Sequence, residues 1–430
     1  MITIPEIEKA SKDEIASFQL RALQEMLHYL LANSTFYQDH FVRHQISIDE
    51  IQSLSDLTKI PPIGKKELQQ HNQQFYCVPK SKIIDYSNTS GTEGEAVTVP
   101  LSEKDMERLA YNEAISLACA GGNENEIYQL TTTVDRRFMA GLAYVLGARK
   151  LGAGMIRVGP GIPELHWKTI QEVEPTALIV VPSFLLKLIE FAETHNIDFR
   201  HSSIKKAVCI GEPIRRDDFS LNALGERIRA KWDIDLYSTY ASTEMGTAFT
   251  ECEAGQGGHF HPELIITELL DENEQPVQQG AAGELTITTL GVEAMPLLRF
   301  KTGDICRKLE EPCICGRNTY RLGPVIGRKN QMIKYKGTTL YPASLSEVMN
   351  SSSDIMDYVI EVSSNEFDND EILIRYAAKE SLNVKELIDH FKSSIRVTPQ
   401  LIPVKQEELQ KLAFPKMSRK PVKFIDRRIF

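Results

Sequence analysis

The sequence lacks the features that mark exported, membrane-spanning and nucleic-acid-binding proteins. No basic start followed by an apolar segment opens the chain, so we expect no signal peptide. The longest apolar run, residues 177–181, has the length of a strand and falls far short of the ~20 residues that span a membrane. A net charge of −10 over 430 residues gives a nucleic-acid partner no overall electrostatic support. We therefore expect a cytoplasmic protein that acts without a nucleic acid or a membrane.

Cysteine is scarce, and its spacing suggests a metal site. Seven cysteines in a long chain without an export signal indicate a reducing compartment, where clustered cysteines bind metals more often than they form disulfides. Cys252 and His259 are followed further along the chain by Cys313 and Cys315. Three thiolates and one imidazole satisfy a tetrahedral zinc ion. His261 competes with His259, and free buried cysteines are the alternative interpretation.

Internal repeats and low-complexity tracts are also missing, and the composition is that of an ordinary globular protein. Hydrophobic residues make up 42% and charged residues 25% of the chain, which is long enough for more than one domain. Strand-like and helix-like stretches alternate from residue 101 to residue 231, which favours a largely parallel sheet covered by helices. Helices are predicted at 12–45, 65–74, 101–117, 139–151, 183–195, 217–231 and 384–397, and strands at 127–132, 155–158, 177–181, 206–210, 264–269, 283–289, 297–299, 359–362 and 372–376.

The pattern predicts an α/β fold with two domains. A large N-terminal domain, residues 1–328, would contain mixed or parallel sheets flanked by helices. Residues 263–310, with short strands and glycine and proline turns, would form a β-rich subdomain of it. About a hundred residues with their own αβ pattern follow, enough for a separate unit. Residues 329–430 would therefore form a small α+β domain.

A hydroxyl-rich stretch at residues 86–95 contains two glycines but no lysine or arginine. The spacing G-x-x-x-x-G-K-[ST] is absent, which excludes a Walker A loop. Glycine amides and hydroxyls nevertheless wrap phosphate oxygens well, because glycine lets the backbone approach and the hydroxyls add donors. Taken alone, such a cluster is more often a solvated turn.

Further blocks follow the hydroxyl-rich stretch in a fixed order. They are Gly211-Glu212-Pro213, Tyr240-Ala241-Ser242-Thr243-Glu244, Arg299-Phe300-Lys301-Thr302-Gly303-Asp304, Gly327-Arg328, Lys336-Gly337, and Lys420 ahead of Phe424-Ile425-Asp426-Arg427-Arg428. The ordered series resembles the adenylate-forming superfamily of acyl-CoA ligases, and most closely its phenylacetate–CoA ligase branch. The resemblance runs from about Pro61 to Arg428, and several blocks in order are far more specific than any one of them.

The resemblance implies a site for ATP or AMP. It assigns the β- and γ-phosphates to the hydroxyl-rich loop, at Thr89, Ser90, Gly91, Thr92 and Gly94. It assigns the adenine to the block Gly211, Glu212 and Pro213 and to the ring of Tyr240, which Ala241 and Ser242 follow. The hydroxyl of Thr243 would meet the α-phosphate, and Glu244 would bind Mg²⁺. Asp304 would accept hydrogen bonds from both ribose hydroxyls, and Arg328 would reach the ribose and phosphate.

The resemblance also assigns the two domains and the catalytic lysine. Residues 1–328 would bind nucleotide and acyl group, and residues 329–430 would form a small, mobile C-terminal α+β lid domain. Lys420 would bridge the attacking carboxylate and the α-phosphate, with Lys423 as its competitor in register. Lys336 and Gly337 would be presented to the site after the lid rotates. Two positions depart from the family pattern: Glu95 stands where lysine is usual, and Asn330 stands where the hinge aspartate is common.

The implied function is an AMP-forming acid–thiol ligase. It would convert a carboxylic acid, ATP and CoA into acyl-CoA through an acyl-adenylate, releasing AMP and pyrophosphate, with an aryl or arylacetic acid such as phenylacetate as substrate. Phe138 would line the acyl pocket. The branch often shows the Cys…His…Cys-x-Cys-Gly pattern, which supports a structural zinc. The alternatives are a transferase acting on a non-CoA acceptor and a catalytically impaired nucleotide-binding homologue. The oligomeric state stays open, with a homodimer as one candidate.

Overall fold

The computed structural model describes residues 4–89, 96–335, 338–365, 369–413 and 422–428. The chain divides into two compact units. Unit 1 comprises Met1–Ser220, Ile228–Thr302 and Cys306–Pro324, and unit 2 comprises Leu221–Arg227, Gly303–Ile305 and Val325–Phe430. The domain boundary after Arg328 stays a prediction.

The helices of the described residues are mostly short. In chain order they are α1 (Glu6–Lys9), α2 (Lys12–Asn33), α3 (Thr35–Arg43), α4 (Lys65–Gln70), α5 (Glu103–Cys119), α6 (Met139–Leu151), α7 (Pro163–Val173), α8 (Pro182–Thr194), α9 (Ala223–Lys231), α10 (Pro342–Ser351), α11 (Val384–Ile395) and α12 (Gln406–Ala413). Single turns of 3₁₀ helix lie at Ile48–Glu50, Leu54–Lys59, Asn72–Phe75, Lys80–Lys82 and Lys329–Gln331.

The strands are also short. They are β1 (Asp85–Asn88), β2 (Thr98–Leu101), β3 (Ile127–Leu130), β4 (Gly154–Arg157), β5 (Ala177–Val180), β6 (Lys206–Cys209), β7 (Asp235–Ser242), β8 (Thr247–Thr250), β9 (Gly258–His259), β10 (Ile265–Leu270), β11 (Gly283–Thr289), β12 (Phe300–Cys306), β13 (Lys308–Leu309), β14 (Arg321–Leu322), β15 (Gly327–Arg328), β16 (Ile333–Tyr335), β17 (Thr338–Leu340), β18 (Ile355–Ser364), β19 (Asp370–Ala378), β20 (Gln400–Pro403) and β21 (Phe424–Asp426).

Unit 1 is built around a nine-stranded sheet with the order β13-β14-β9-β8-β7-β6-β5-β3-β4. The run from β4 through β3, β5 and β6 to β7 is parallel, and the strands from β7 to β13 pair antiparallel. All four residues of β5 are fully buried, as expected for a parallel strand covered on both faces. A core of Leu117, Tyr128 and Tyr144 joins α5 and α6 to this sheet.

Helices α5 and α6 show why these segments are helical. Ser102 caps α5 in a capping box with Asp105, which satisfies two amide donors at the helix start. Helix α6 ends at Gly152, whose φ of 86° lies in the left-handed region that glycine occupies without strain. The sequence placed α6 at the bounds that the structure has. It placed Leu101 in the helix, but Leu101 closes β2 and Ser102 separates the two elements.

Unit 2 contains the four-stranded sheet β20-β19-β18-β21 and the hairpin β16-β17. Strands β18 and β19 pair antiparallel, while β20 and β21 lie parallel to their neighbours. Phe391 of α11 and Val348 of α10 pack with Ile360 in its core. Mixed sheets with helices in one unit and an α+β second unit confirm the predicted fold class; the mobility of the lid stays a prediction.

Several predicted elements were wrong at their bounds. The helix predicted at 12–45 is divided at Ser34 into α2 and α3, and the helix predicted at 65–74 ends at Gln70. The helix predicted from residue 217 begins at Ala223. The strand predicted at 297–299 is absent, and Phe300–Cys306 forms the strand instead. Arg299 explains this shift, because its φ of 48° interrupts the extended backbone just before β12. Its buried guanidinium holds the bend by donating to both oxygens of Glu268, at 2.8 Å each.

Across the described residues, no helix is both long and apolar enough to cross a membrane.

Candidate active site

The parallel strands of unit 1 end together at one edge of the sheet. Leu130 pairs with Ile179, Val180 with Cys209, and Cys209 with Ser238. The segments that leave these ends, residues 131–138, 181–184, 210–215 and 240–246, therefore emerge side by side. Ligands of open α/β sheets bind in the crevice outside the carboxyl ends of the strands. Several of the predicted nucleotide-binding residues lie at this edge.

The hairpin β1-β2 carries the hydroxyl-rich loop. Thr89 donates its amide to the carbonyl of Val97 and accepts the Val97 amide on its Oγ1, both at 3.0 Å. Its side chain is buried, so Thr89 braces the base of the loop. The remaining loop residues with a predicted phosphate role, Ser90, Gly91, Thr92 and Gly94, lie outside the described residues, as does Glu95.

The block after β6 is fixed by a contact that the sequence did not suggest. Both carboxylate oxygens of Glu212 accept hydrogen bonds at the start of α8, from the amide and the hydroxyl of Ser183, each at 2.9 Å. Gly211 permits the turn with a φ of 74°, and Pro213 is exposed. Glu212 therefore holds the block in place through α8, while Gly211 and Pro213 are exposed.

The block at the end of β7 brings an aromatic ring, a hydroxyl and a carboxylate together. Tyr240 is half-buried, with its ring 6.1 Å from that of Phe249. Ser242 accepts the amide of Met245 on its hydroxyl at 3.3 Å and shapes the turn, and Ala241 is exposed. Within the described part of the chain, the half-buried side chains of Thr243 and Glu244 make no hydrogen bond or ion pair, which leaves both groups available to a ligand.

Arg108 of α5 holds this turn in place through hydrogen bonds. Its guanidinium donates to the carbonyls of Gly246 at 2.7 Å, Leu290 at 2.7 Å and Leu264 at 2.6 Å. Burial lowers the pKa of Arg108 to about 10, so it stays charged at neutral pH. The turn that presents Glu244 is thus tied to three separate segments. No sequence signal marked Arg108.

Asp304 and Arg328 lie opposite each other in unit 2. They form a pair in the antiparallel ladder of β12 and β15, where the Nε of Arg328 donates to Oδ1 of Asp304 at 3.1 Å. Asp304 is buried, whereas the side chain of Arg328 is 39% exposed. The two residues that the resemblance assigned to the ribose are therefore direct neighbours.

The predicted lysines fall mostly outside the described residues. Lys336, Gly337 and Lys420 are among the residues that the structure does not describe. Lys423, the competitor of Lys420, is described: its ammonium pairs with Asp357 and lies 4.5 Å from the centre of the Tyr358 ring. Lys423 is thus engaged within unit 2.

The predicted metal ligands form one cluster in unit 1. The ligand atoms of Cys252, His259, Cys313 and Cys315 all lie within 4.8 Å of one another. The Sγ atoms of Cys252 and Cys313 are 3.6 Å apart, and Sγ of Cys315 is 3.5 Å from Nε2 of His259. Tetrahedral zinc, with bonds of about 2.3 Å to sulfur and 2.0 Å to nitrogen, brings ligand atoms to roughly these separations. The donor set and its spacing therefore fit zinc.

The structure distinguishes the two candidate histidines. His261 points away from the thiols, with its Nδ1 2.5 Å from a carboxylate oxygen of the fully buried Glu8. Arg317 joins this network, donating Nε to Glu8 at 2.6 Å and Nη1 to the sulfur of Cys315 at 3.4 Å. Burial raises the pKa of Cys315, but the hydrogen bonds from His259 and Arg317 outweigh it and hold that pKa below its usual range.

The chain belongs to the family of AMP-binding enzymes, which it matches over residues 37–294. It is similar to the phenylacetate-coenzyme A ligase of Aromatoleum evansii, with 29% identity over 83% of this chain and 80% of the relative. The phenylacetate-coenzyme A ligase of Escherichia coli K12 is 29% identical over 79% of this chain and 77% of the relative. These matches confirm the predicted resemblance and the enzyme class, an AMP-forming acid–thiol ligase.

Solved structures share the fold. A 2-hydroxyisobutyryl-CoA ligase, solved in the postadenylation state in complex with R3-HIB-AMP, superimposes with a TM-score of 0.85 at 22% identity. The match covers 98% of this chain and 91% of that ligase. An anthranilate CoA ligase in complex with anthranoyl-AMP gives a TM-score of 0.59 over 81% of this chain. At these identities the similarity establishes the fold.

Proposed function

We propose that the protein is an ATP-dependent carboxylate–CoA ligase whose substrate is an aryl or arylacetic acid such as phenylacetate. The observation that carries this proposal is the turn after β7, where the half-buried side chains of Thr243 and Glu244 make no hydrogen bond or ion pair with the described part of the chain. Two such polar groups, close in sequence to the aromatic Tyr240 and at the carboxyl edge of the sheet, suit a nucleotide whose phosphates carry a divalent cation. The phenylacetate–coenzyme A ligases among its relatives support the choice of acid.

The proposed first half-reaction is attack of the substrate carboxylate on the α-phosphate of ATP, which gives acyl-AMP and pyrophosphate. Tyr240 and the block 211–213 hold the adenine, and the hydroxyl of Thr243 contacts the α-phosphate. Asp304 accepts from the ribose hydroxyls while Arg328 fixes its orientation. Positioning the reactants in line and neutralising the phosphate charge are the two contributions that such a reaction needs.

Lys420 is the proposed residue that bridges the carboxylate and the α-phosphate as negative charge builds. A flexible ammonium is suited to such a point contact. The engagement of Lys423 with Asp357 supports this register, because it commits the competing lysine to a contact within unit 2. Lys336 and Gly337 are proposed to serve the second half-reaction, in which the CoA thiol attacks the acyl carbonyl, with residues 329–430 as a lid.

Two metal ions have proposed roles. Glu244 would hold Mg²⁺, which neutralises phosphate charge when bound, and a half-buried carboxylate with no competing partner in the described part of the chain fits that hard cation. Cys252, His259, Cys313 and Cys315 would hold a structural zinc. Four protein ligands complete its coordination, so the zinc would stabilise the fold of unit 1 rather than take part in the chemistry.

ATP–pyrophosphate exchange with a panel of aryl, arylacetic and short fatty acids tests the proposal. Exchange should depend on the acid, with arylacetic acids giving the highest kcat/KM. Glu244→Gln should reduce exchange by on the order of a hundredfold, as for loss of a charge-stabilising contact. Glu107→Gln, at a position of α5 whose side chain is 69% exposed, is the control and should leave exchange unchanged. Absence of exchange with every acid would refute the assignment. AMP release that depends on an acceptor other than CoA, with transfer of the acyl group to that acceptor, would favour a transferase.

A further inference from the structure

Two consecutive arginines after strand β3 adopt a backbone conformation that side-chain-bearing residues avoid. Arg136 has a φ of 56° and Arg137 a φ of 58°, both in the left-handed region. Such residues persist only where the surrounding structure holds them, and they cluster at functional sites. The strain lies in the segment 131–138, which leaves the sheet at the edge described above for the proposed nucleotide site.

The contacts of Arg137 show what this conformation achieves. Its carbonyl accepts the amide of Asn88 at 2.9 Å, and its Nε donates to the carbonyl of Tyr86 at 3.1 Å. Its Nη2 donates to Oγ1 of Thr98 at 2.9 Å. Tyr86 and Asn88 belong to β1 and Thr98 belongs to β2. A single residue therefore binds both strands of the hairpin that carries the hydroxyl-rich loop.

The neighbouring contacts make this tie rigid. Oγ1 of Thr98 also hydrogen-bonds Oδ1 of Asn88 at 3.2 Å, so the guanidinium completes a link across the hairpin. On the other side, a Cβ placed on Gly141 would come within 1.9 Å of the carbonyl oxygen of Thr133. Helix α6 thus packs directly against the segment 131–138, which gives Arg137 a fixed support.

The charge of Arg137 is also placed where the sequence provides no other. Residues 86–95 contain no lysine or arginine. Arg137 donates to a carbonyl and a hydroxyl, and among the described residues it forms no ion pair with a carboxylate. No carboxylate of the described residues cancels its positive charge, which therefore favours an anionic ligand near the hairpin.

We infer that Arg137 is a positioning residue for the triphosphate of ATP, holding the hairpin β1-β2 and supplying the cation that the loop itself lacks. The inference rests on the proposed function, because it concerns the nucleotide of that reaction. Arg136 offers a matched control: it has the same side chain, the same left-handed backbone and, like Arg137, an exposed position, but its acidic partner is the adjacent Asp135, at 4.0 Å.

Steady-state ATP–pyrophosphate exchange with Arg137→Ala, Arg137→Lys and Arg136→Ala tests this role. Arg137→Ala should raise the KM for Mg-ATP by about tenfold, corresponding to loss of a charge-assisted contact. Its KM for the carboxylic acid should stay within about twofold, because the acid does not carry the triphosphate. Arg137→Lys should recover part of the loss, since an ammonium keeps the charge and one donor, and Arg136→Ala should match the unmodified protein.

Three results would overturn the inference: equal KM values for Mg-ATP in Arg137→Ala and Arg136→Ala, equal rises in the two KM values of Arg137→Ala, or no recovery in Arg137→Lys. Calorimetric titration with Mg-ATP separates this failure from failure of the proposed function. If the unmodified protein shows no acid-dependent exchange, the proposed function fails. In that case weaker Mg-ATP binding by Arg137→Ala than by Arg136→Ala upholds the inference, and equal binding overturns it.

Discussion

Asp304 is buried and accepts a hydrogen bond from Arg328, so its carboxylate is held at a defined place on β12. If it also accepts from the ribose, its removal costs hydrogen bonds to a charged group, each contributing about 1.5–3 kcal/mol. Asp304→Ala should weaken ATP and AMP binding by about one to two orders of magnitude in calorimetry. Asp217, which is exposed and pairs with Arg307, gives the control Asp217→Ala. Unchanged nucleotide affinity in Asp304→Ala would remove this residue from the site.

Alanine substitutions of Lys420 and Lys423 should have different effects on the two half-reactions. Lys420→Ala should reduce acyl-AMP formation by on the order of a hundredfold or more, while thioester formation from supplied acyl-AMP and CoA stays near that of the unmodified protein. Lys423→Ala breaks the pair with Asp357 and should lower the melting temperature, with little effect on the rate of either half-reaction. Rapid-quench assays of each half-reaction give the comparison. Equal loss in both half-reactions of Lys420→Ala would make that lysine structural.

The candidate site residues themselves were predictable from the sequence, but the contacts that hold them in place were not. The order of the blocks predicted Tyr240, Thr243 and Glu244, and the structure places all three at the carboxyl edge of the sheet. The partners that fix these blocks were not predictable. Ser183 holds Glu212, and Arg108 holds the carbonyl of Gly246. Each partner lies on a different element from the residue that it contacts, so the two come together only in the folded chain. No local pattern of residue types predicts such a contact.

At the scale of elements, β9 and the segment 313–317 carry three of the four predicted zinc ligands, His259, Cys313 and Cys315. Protein purified without added metal should contain about one zinc per chain by elemental analysis. His259→Ala should lose the metal and lower the melting temperature, because structural zinc contributes directly to folding. His261→Ala should keep the metal, since its ring contacts Glu8 instead of the thiols. Metal-free protein whose cysteines all react freely would contradict the site. Loss of metal in His261→Ala but not in His259→Ala would mean that His261 is the ligand instead of His259.

A second prediction at this scale concerns Glu113, which is buried where α5 packs against α6. Glu113 is buried beside Gly147, and burial raises its pKa to about 8. The folded state therefore keeps the proton that the unfolded chain releases near pH 4.5, so this group reduces the free energy of unfolding as pH rises from about 4.5 to 8. Glu113→Gln removes this dependence. In denaturant titrations its stability relative to the unmodified protein should increase between pH 5 and pH 8, by up to about 1.4 kcal/mol per pH unit.

Glu107→Gln on the same helix is the control for removing a carboxylate from α5, because the Glu107 side chain is 69% exposed whereas Glu113 is buried. A pH dependence in Glu113→Gln equal to that of Glu107→Gln would mean that Glu113 is ionised in the folded protein.

Elements were predictable where hydrophobic periodicity is strong and turn residues are local. Helix α6 and strand β11 have the predicted bounds. Helix α7 was not predicted, although its first residue is Pro163, a residue type favoured at helix starts. The strand at 297–299 was misplaced because the left-handed turn at Arg299 depends on its pairing with Glu268, a partner from another strand. Such distant pairings decide where an element starts.

For the whole molecule, the ordered blocks predicted the family, and the match over residues 37–294 confirms it. The fold class followed from a separate signal, the alternation of strand-like and helix-like stretches from residue 101 to residue 231. The identity of the acid is a different matter. Acyl specificity depends on the shape of a pocket whose walls come from distant segments, and Phe138 alone does not define it. The choice of an arylacetic acid therefore rests on the relatives.

The central claim is that the protein joins a carboxylic acid to CoA through an acyl-adenylate. The most direct test is chromatographic quantification of all products after incubation with ATP, Mg²⁺, CoA and phenylacetate, with the acid panel in parallel. The account predicts equal amounts of AMP and acyl-CoA and no ADP. Without CoA, product formation should stop at about one equivalent of acyl-AMP per chain, held in the site. ADP as the nucleotide product, or AMP without thioester for every acid tested, would contradict the account.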